Sequence, residues 1–473
     1  MSSGPVVVVG GGIAGLSAAW EAVQREPGRQ VVVLEAGDRL GGKILTTDVA
    51  GRPVDAGPDA FLARVPWALD LCRELGLDGE LVSPSAGTAW VATPRGPRRV
   101  PEGLVLGVPA RVGPMVRSGV LSPRGLLRAG LEPLLPRRPA PTGTGDSVGR
   151  TVRRRFGREV HELLVDPLVG SINAGDTDEL SLTASVPQLA DAAGRSRSLL
   201  LGLRAQQRAA TGAAGNGRPA PVFLTHPRGL GHVVEVLVGR LRDAGVDLRP
   251  SCGAAALRPT PGGGWVVDTP GGPQPADAVV LAVPAPAAAG LLVPVSFEAA
   301  AALRAIPYAS VAIVTLALPE GALRRPLEGS GLLVPKHRGP SRAVTAVSFG
   351  STKWAHWARP GEVLLRVSVG RTGEEAVVEL DDPDLLAAVR HDLEELLGLD
   401  GEAQAVRISR WPSSFPQYLP GHLARVAAVE RALAADAPGV AVAGAAYRGL
   451  GIPACIRQGR EAAAALLGRA AER

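Results

Sequence analysis

One run of residues near the start has the types and spacing to do chemistry. Gly10, Gly11, Gly12, Ile13, Ala14 and Gly15 contain the pattern Gly-x-Gly-x-x-Gly, and Glu35 stands twenty residues past Gly15. Between a strand and a helix, this spacing forms a mould for a dinucleotide diphosphate. Gly10 allows the tight turn, Gly12 lets the backbone approach the phosphates, and Gly15 lets helix and strand pack closely. The helix N-terminus offers free N–H groups and partial positive charge to the anion. Glu35 can accept hydrogen bonds from ribose hydroxyls. The elements that must position these groups are legible. Pro5 to Val9 is a short apolar run that fits a buried strand, Leu16 to Gln24 has helical spacing, and Gln30 to Leu34 reads as a second strand.

The residues after Glu35 favour a flavin over a nicotinamide. The chain runs Glu35-Ala36-Gly37-Asp38-Arg39-Leu40-Gly41-Gly42-Lys43, and later Asp55-Ala56-Gly57-Pro58-Asp59. A second glycine pair directly after the second strand exposes backbone N–H groups to an anion, and Arg39 and Lys43 can neutralise it. The bland alternative for Gly41-Gly42 is an ordinary turn. Gly57-Pro58 offers another close backbone approach, suited to the edge of a flat ring.

This stretch resembles the flavin-containing amine oxidase and protoporphyrinogen oxidase superfamily. Two further regions narrow the resemblance to the porphyrinogen oxidases. One is Asp146 to Val160 with Asp166-Pro167-Leu168-Val169 and Ala174-Gly175-Asp176. The other runs from strand Val440–Gly444 through Gly449-Leu450-Gly451-Ile452-Pro453-Ala454-Cys455-Ile456 into a helix from Arg457. Trp411-Pro412 and Pro416-Gln417-Tyr418 are similar to the bacterial coproporphyrinogen III oxidase branch. The likeness spans about residues 5 to 468. It implies an α/β fold: a Rossmann-like FAD-binding domain, a mixed β-sheet substrate domain and a helical insertion. It also implies noncovalent FAD, held by the N-terminal residues already named together with Ala36, Gly42, Asp59, Ala60, Ala254, Trp411, Gly444, Gly451, Ile452, Pro453 and Ala454.

Length and composition agree. At 473 residues the chain exceeds one core. Aromatics are only 3%, so Val, Leu and Ala must fill the interior. The lysines are Lys43, Lys336 and Lys353, so nearly all the base is Arg, which reads as GC-rich coding rather than as Arg chemistry. A net charge of +6 suits an anionic ligand or acidic membrane. No basic motif interleaves with aromatics, so nucleic acid is not expected. No metal-ligand spacing occurs among the seven histidines or at Cys72, Cys252 and Cys455. The absence of a Cys-x-x-Cys pair favours a reducing compartment. No signal peptide is read, because the first apolar run enters the glycine turn, and a cytoplasmic location is expected.

Three segments, 1–78, 222–296 and 412–473, are expected to build the FAD-binding domain. Within them Gly229–Ala244 reads as a helix, and Asp247–Arg249 and Ala254–Leu257 as strands. Ala278 to Val295 is apolar but broken by Pro284, Pro286 and Pro294, and reads as a strand, a turn and a short helix. Residues 79–221 form the helical insertion. Arg99, Arg111, Arg117, Arg124 and Arg128 stud its apolar background, and two readings stay open: a membrane-interface surface or a domain with Arg on its wet side. Pro136–Gly145 and Ala209–Pro221 are expected loops. Residues 297–411 are expected to form the substrate-binding α+β domain, with strands at Val311–Leu316 and Val363–Val367 and a helix at Leu385–Leu397.

The resemblance implies oxygen-dependent oxidation of coproporphyrinogen III to coproporphyrin III: six electrons removed and three hydrogen peroxides formed. It also implies a peripheral membrane contact and a downstream haem-pathway enzyme as partners. Protoporphyrinogen IX is the alternative substrate. No catalytic dyad is apparent. Arg64, Asn173, Tyr418 and Arg448 are candidates to meet the substrate and its carboxylate arms. A flavin amine oxidase and a flavoprotein without turnover are the readings from other classes. The three tyrosines, Tyr308, Tyr418 and Tyr447, make an aromatic amine cage hard to assemble.

Overall fold

The computed structural model describes residues 4–136, 145–213, 221–336 and 342–471, without the side chains of 210–213 and 469–471. Its first sheet grows from short, wholly apolar runs. Val6–Val9, Val31–Leu34 and Ala278–Leu281 are buried at every position, as a parallel sheet covered on both faces requires. Asp247–Arg249 and Val440–Val442 complete five parallel strands. In chain order they lie 3-2-1-4-5, so the order reverses beside Val6–Val9. A ligand crevice opens at such a reversal, past the carboxyl ends of the strands.

Alternation along the first strand feeds two cores. Val6 and Val8 pack with helices Ile13–Arg25, Pro66–Glu74, Leu230–Asp243 and Ile452–Ala471. Val7 and Val9 pack on the other face with helices Ala285–Leu292, Phe297–Arg304 and His422–Asp436. The closing helix begins at Ile452, not at Arg457. Pro453 sits in its first turn, where a missing N–H is harmless.

The second sheet has seven strands in mixed orientation. Three long ones, Tyr308–Pro319, Glu362–Val369 and Ala405–Pro416, lie side by side. Its outer face, with Val314, Leu316 and Leu318, is covered by Leu385, Val389 and Leu393 of helix Asp382–Leu397. Its inner face turns towards residues 46–55, where Ala317 packs in one cluster with Val49 and Val54. Strand Ala405–Pro416 crosses the expected 411/412 boundary, and helix Phe297–Arg304 packs against the first sheet. Strands Ala89–Val91 and Arg98–Arg99, from the expected helical insertion, join the second sheet.

Apart from the short hairpin Leu104–Val105 with Val108–Pro109, the other described elements of that insertion are helical, around Val148, Val152, Phe156 and Leu203. Its helical run Arg158–Asn173 is π-helical over His161–Gly170, which is mostly buried. Pro167 lies inside and removes one N–H from the regular ladder. Residues 137–144 and 214–220 of the two expected loops lie outside the described residues. Residues 209–213 continue helix Leu199–Ala213 instead of forming a loop.

Candidate active site

The glycine turn comes at the end of Val6–Val9, beside the reversal of strand order. Gly10 has φ +109°, and a Cβ there would meet the Ala282 carbonyl oxygen at 2.5 Å. At Gly15 a Cβ would lie 1.9 Å from the Gly10 carbonyl oxygen, so only glycine lets the helix sit this close. The first helical bond runs from Leu16 N–H to Gly12 O at 2.9 Å, so the amides of Ile13, Ala14 and Gly15 precede it. They are the orphan donors of a helix N-terminus.

The second glycine pair lies against the first. Gly41 N–H donates to Gly11 O at 2.8 Å, and a Cβ on Gly42 would stand 3.1 Å from Gly12 Cα. Arg39 holds this turn by donating to Gly42 O at 2.6 Å. Lys43 opens to solvent on one side and is flanked by protein on the others. Lost hydration lowers its ammonium. Glu35 accepts from Gly11 N–H and from Gly37 N–H, both at 2.7 Å. Those bonds leave acceptor sites open on its carboxylate. Ala254 lies in the segment that runs beside Glu35 to Gly37, joined through Cys252 N–H to Glu35 O and Ser251 N–H to Gly37 O, each 2.7 Å. Glu35→Ala is expected to weaken flavin binding about ten- to a hundredfold, since it strips two amides of a charged acceptor. Titration of the apoprotein with FAD measures this, and an unchanged Kd refutes it.

Asp55 to Ala60 form the second wall. A Cβ on Gly57 would stand 2.2 Å from Lys43 O, and Pro58 is exposed. The hairpin leading here, Thr46–Val49 with Arg52–Asp55, and the Ala56–Gly57 turn after it are gripped through their carbonyls by the second sheet and its connections. Arg407 donates to Val54 O at 3.0 Å and Asp55 O at 3.2 Å, Arg359 to Gly51 O at 2.6 Å, and Arg366 to Gly57 O. Trp357 donates to Pro53 O at 2.9 Å and Trp411 to Ala56 O at 3.0 Å. The Asp59 carboxylate is itself engaged. It accepts from Lys353 at 2.8 Å and Trp354 at 3.0 Å and pairs with Arg366 at 3.1 Å. Burial alone would raise this carboxyl, but Lys353 and Arg366 prevail and hold it well below the usual carboxylate range. Ala60 packs against the core around Trp354 and Trp357.

The closing segment completes the enclosure. Gly444 turns at φ +125° beside Ala14, and Cys455 N–H makes the first bond of the last helix, to Gly451 O at 3.0 Å. The amides of Ile452 and Ala454 precede that bond, and Pro453 has none. A Cβ on Gly459 would lie 2.0 Å from Ala14 O, so this helix rests directly on the first. Burial pushes the Cys455 thiol up to about 11 although Lys43 opposes it, so a thiolate nucleophile is not poised there.

The structure separates the four substrate candidates. Arg64 is exposed in the turn after strand Phe61–Leu62. Asn173 is buried, donates to Val169 O at 2.8 Å, and its own carbonyl accepts from Gln417 at 3.0 Å. Tyr418 is buried. Its hydroxyl donates to Ala445 O at 2.6 Å and accepts from Gly449 N–H at 2.9 Å. It therefore braces the closing loop. Arg448 points outward and pairs with Glu430 at 2.6 Å.

Comparison with known proteins matches this geometry. The flavin containing amine oxidoreductase family matches residues 13–467. The chain belongs to that family. Coproporphyrinogen III oxidase of Bacillus subtilis (strain 168) is 35% identical, covering 97% of this chain and 96% of the relative. The enzyme of that name from Propionibacterium freudenreichii subsp. freudenreichii is 38% identical over 97% and 90%. A solved structure from Exiguobacterium sp. 255-15 superposes with TM-score 0.86 at 31% identity, covering 100% of both chains. Cyclohexylamine oxidase of Brevibacterium oxydans IH-35A shares the fold, with TM-score 0.70 at 18% identity.

As a member of this family the protein is a flavin-dependent oxidoreductase, and its cofactor is FAD. The residues present fit the cofactor. Two helix N-termini carry orphan amides, and two glycine turns meet where a Cβ on Gly10 or Gly42 would crowd the backbone. Sequence reasoning missed Arg366, Arg407, Lys353, Trp354 and Gly459. Hundreds of residues separate most of them from their partners, and no spacing marks them.

Proposed function

We propose that the protein oxidises coproporphyrinogen III to coproporphyrin III. The observation that carries this reading is the near end-to-end similarity to coproporphyrinogen III oxidases, at 35% and 38% identity. Six hydrogens leave the substrate and three dioxygens become three hydrogen peroxides, which balances atoms and electrons. Bound FAD supplies the two-electron acceptor for each of the three rounds. The chain's residues supply the binding. The amides of Ile13 to Gly15 and Glu35 would hold the diphosphate and ribose. Gly57 and Pro58 would lie against the ring, and the amides of Ile452 and Ala454 would favour negative charge on it. FAD is held without a covalent link. Of the four candidates, Arg64 keeps its guanidinium available for a substrate carboxylate, because Arg448 and Tyr418 are committed elsewhere.

Protoporphyrinogen IX is the second reading. It is favoured by 31% identity to the chloroplastic protoporphyrinogen oxidase of Oryza sativa subsp. japonica. Aerobic incubation with each porphyrinogen, monitored by porphyrin fluorescence, separates the two. Faster coproporphyrin formation is expected. Faster protoporphyrin formation overturns the substrate, and no porphyrin from either overturns the reaction.

No described helix is long and apolar enough to cross a membrane. A peripheral contact is proposed instead. Val116, Leu127 and Leu134 are 55%, 66% and 73% exposed, and Arg111, Arg117 and Arg124 are exposed alongside them in sequence. Flotation with anionic vesicles, but not neutral ones, is expected. Its loss in a Leu127→Ser, Leu134→Ser double variant supports this face, and failure to float at all refutes it.

A further inference from the structure

Five buried polar atoms in one region have no hydrogen-bond partner among the described residues: Oγ of Ser348, Nε of Arg366, Oγ1 of Thr315, Nε of Arg407 and Oδ2 of Asp55. The first four belong to residues that stand in a row. In register across four neighbouring strands, Ser348 pairs with Arg366, Arg366 with Thr315, and Thr315 with Arg407. Facing residues of a sheet share a face, so all four lie on the inner face. Asp55 adjoins the end of the row, where its main-chain carbonyl accepts from Arg407 at 3.2 Å.

The other side-chain polar atoms of Arg366, Arg407 and Asp55 are already engaged. Arg366 gives its other nitrogens to Gly57 O and Asp59. Arg407 gives its own to Thr47, Val54 and Asp55. Asp55 Oδ1 accepts from the Thr46 hydroxyl at 2.5 Å and from Leu230 N–H at 2.9 Å. Two N–H donors, two hydroxyls that both donate and accept, and one carboxyl oxygen are left over. Water satisfies that mixture, since a buried water makes two to four such bonds.

We propose that a string of ordered waters lies along Ser348, Arg366, Thr315 and Arg407, bridges the second sheet to Asp55, and makes that carboxyl a proton store beside the ring-facing loop. The store rests on the proposed oxidation. Each round takes a hydride from a C–H and a proton from an N–H of the substrate. One dioxygen gains both as hydrogen peroxide, so one proton must be held in between. Asp55 can change charge for this purpose. Burial raises it to about 6, and the nearby Asp59 adds to that. The Thr46 hydroxyl, Arg366 and the Leu230 amide work against them. Arg407 faces it from the sheet, and Lys353 neutralises Asp59.

Three measurements on the FAD-loaded protein test this without substrate, so they do not depend on the proposed reaction being right. A crystal structure should show waters within hydrogen-bond distance of Thr315 Oγ1, Arg366 Nε and Arg407 Nε, and a dry row overturns the site. Thr315→Val keeps the shape and removes the hydroxyl. If waters bond to it, the melting temperature falls. If it is a dry orphan, burying a methyl instead holds or raises the melting temperature, and the proposal fails. Infrared difference spectra of wild type against Asp55→Asn should show a protonated-carboxyl band that titrates near pH 6. Absence of that band at pH 5 overturns the proton store.

Discussion

Gly15→Ala is expected to yield protein that holds no FAD and is destabilised by at least about 3 kcal/mol. The added Cβ would lie 1.9 Å from the Gly10 carbonyl oxygen and 3.1 Å from Val8 Cγ1. Neither obstacle is a flexible side-chain tip. The oxygen belongs to the glycine turn itself, and Val8 is fully buried in the central strand. Helix and strand must therefore part, which moves the orphan amides away from any phosphate. Gly459→Ala is expected to act alike, because its Cβ would lie 2.0 Å from Ala14 O. A control separates this clash from a general sensitivity of helical glycines. Gly239, inside Leu230–Asp243, has open space around its Cβ position. Gly239→Ala should stabilise by about 0.5–1 kcal/mol. Flavin absorbance per protein and urea unfolding measure all three. Wild-type flavin content in Gly15→Ala would refute the clash.

Asp59→Asn is expected to be nearly as damaging, at about 3–5 kcal/mol near neutral pH. The carboxylate is largely enclosed and takes Lys353, Arg366 and the Trp354 indole together. Removing its charge leaves two enclosed cations facing each other across the junction of the two sheets. The pH dependence has a definite sign. The folded-state carboxyl is held below its ordinary value, so its contribution is fully present above the unfolded value of about 4. It is lost as the pH falls through the folded value. The stability gap between wild type and Asp59→Asn should therefore narrow below about pH 4, beneath any small change near pH 6 from Asp55, which Asp59 helps to raise. Urea unfolding at several pH values tests this, and a gap that widens in acid would contradict the assignment.

The cofactor half was legible because its signals are local. Val6–Val9 and Val31–Leu34 declare a covered parallel sheet by having no polar position to expose. Gly10, Gly12 and Gly15 announce a turn through stereochemistry that acts within a few residues. The helix expected at Leu16–Gln24 runs Ile13–Arg25, and the strand expected at Asp247–Arg249 has those bounds. Even the proline-broken run after Ala278 resolved as strand Ala278–Leu281 and helix Ala285–Leu292.

The roles of individual polar side chains were not legible. Tyr418 and Arg448 flank the closing motif, yet one braces a loop and the other pairs with Glu430. The abundant arginine read as a mark of coding, while Arg359 and Arg407 in fact hold the hairpin before Gly57 by its carbonyls and Arg366 holds the Gly57 carbonyl itself. A sequence by itself determines which segments must be buried and where the backbone must turn, because periodicity and glycine stereochemistry are properties of neighbouring residues. Which guanidinium meets which carbonyl, with partners some three hundred residues apart, is decided only when the two sheets dock, since that choice depends on distances no spacing encodes.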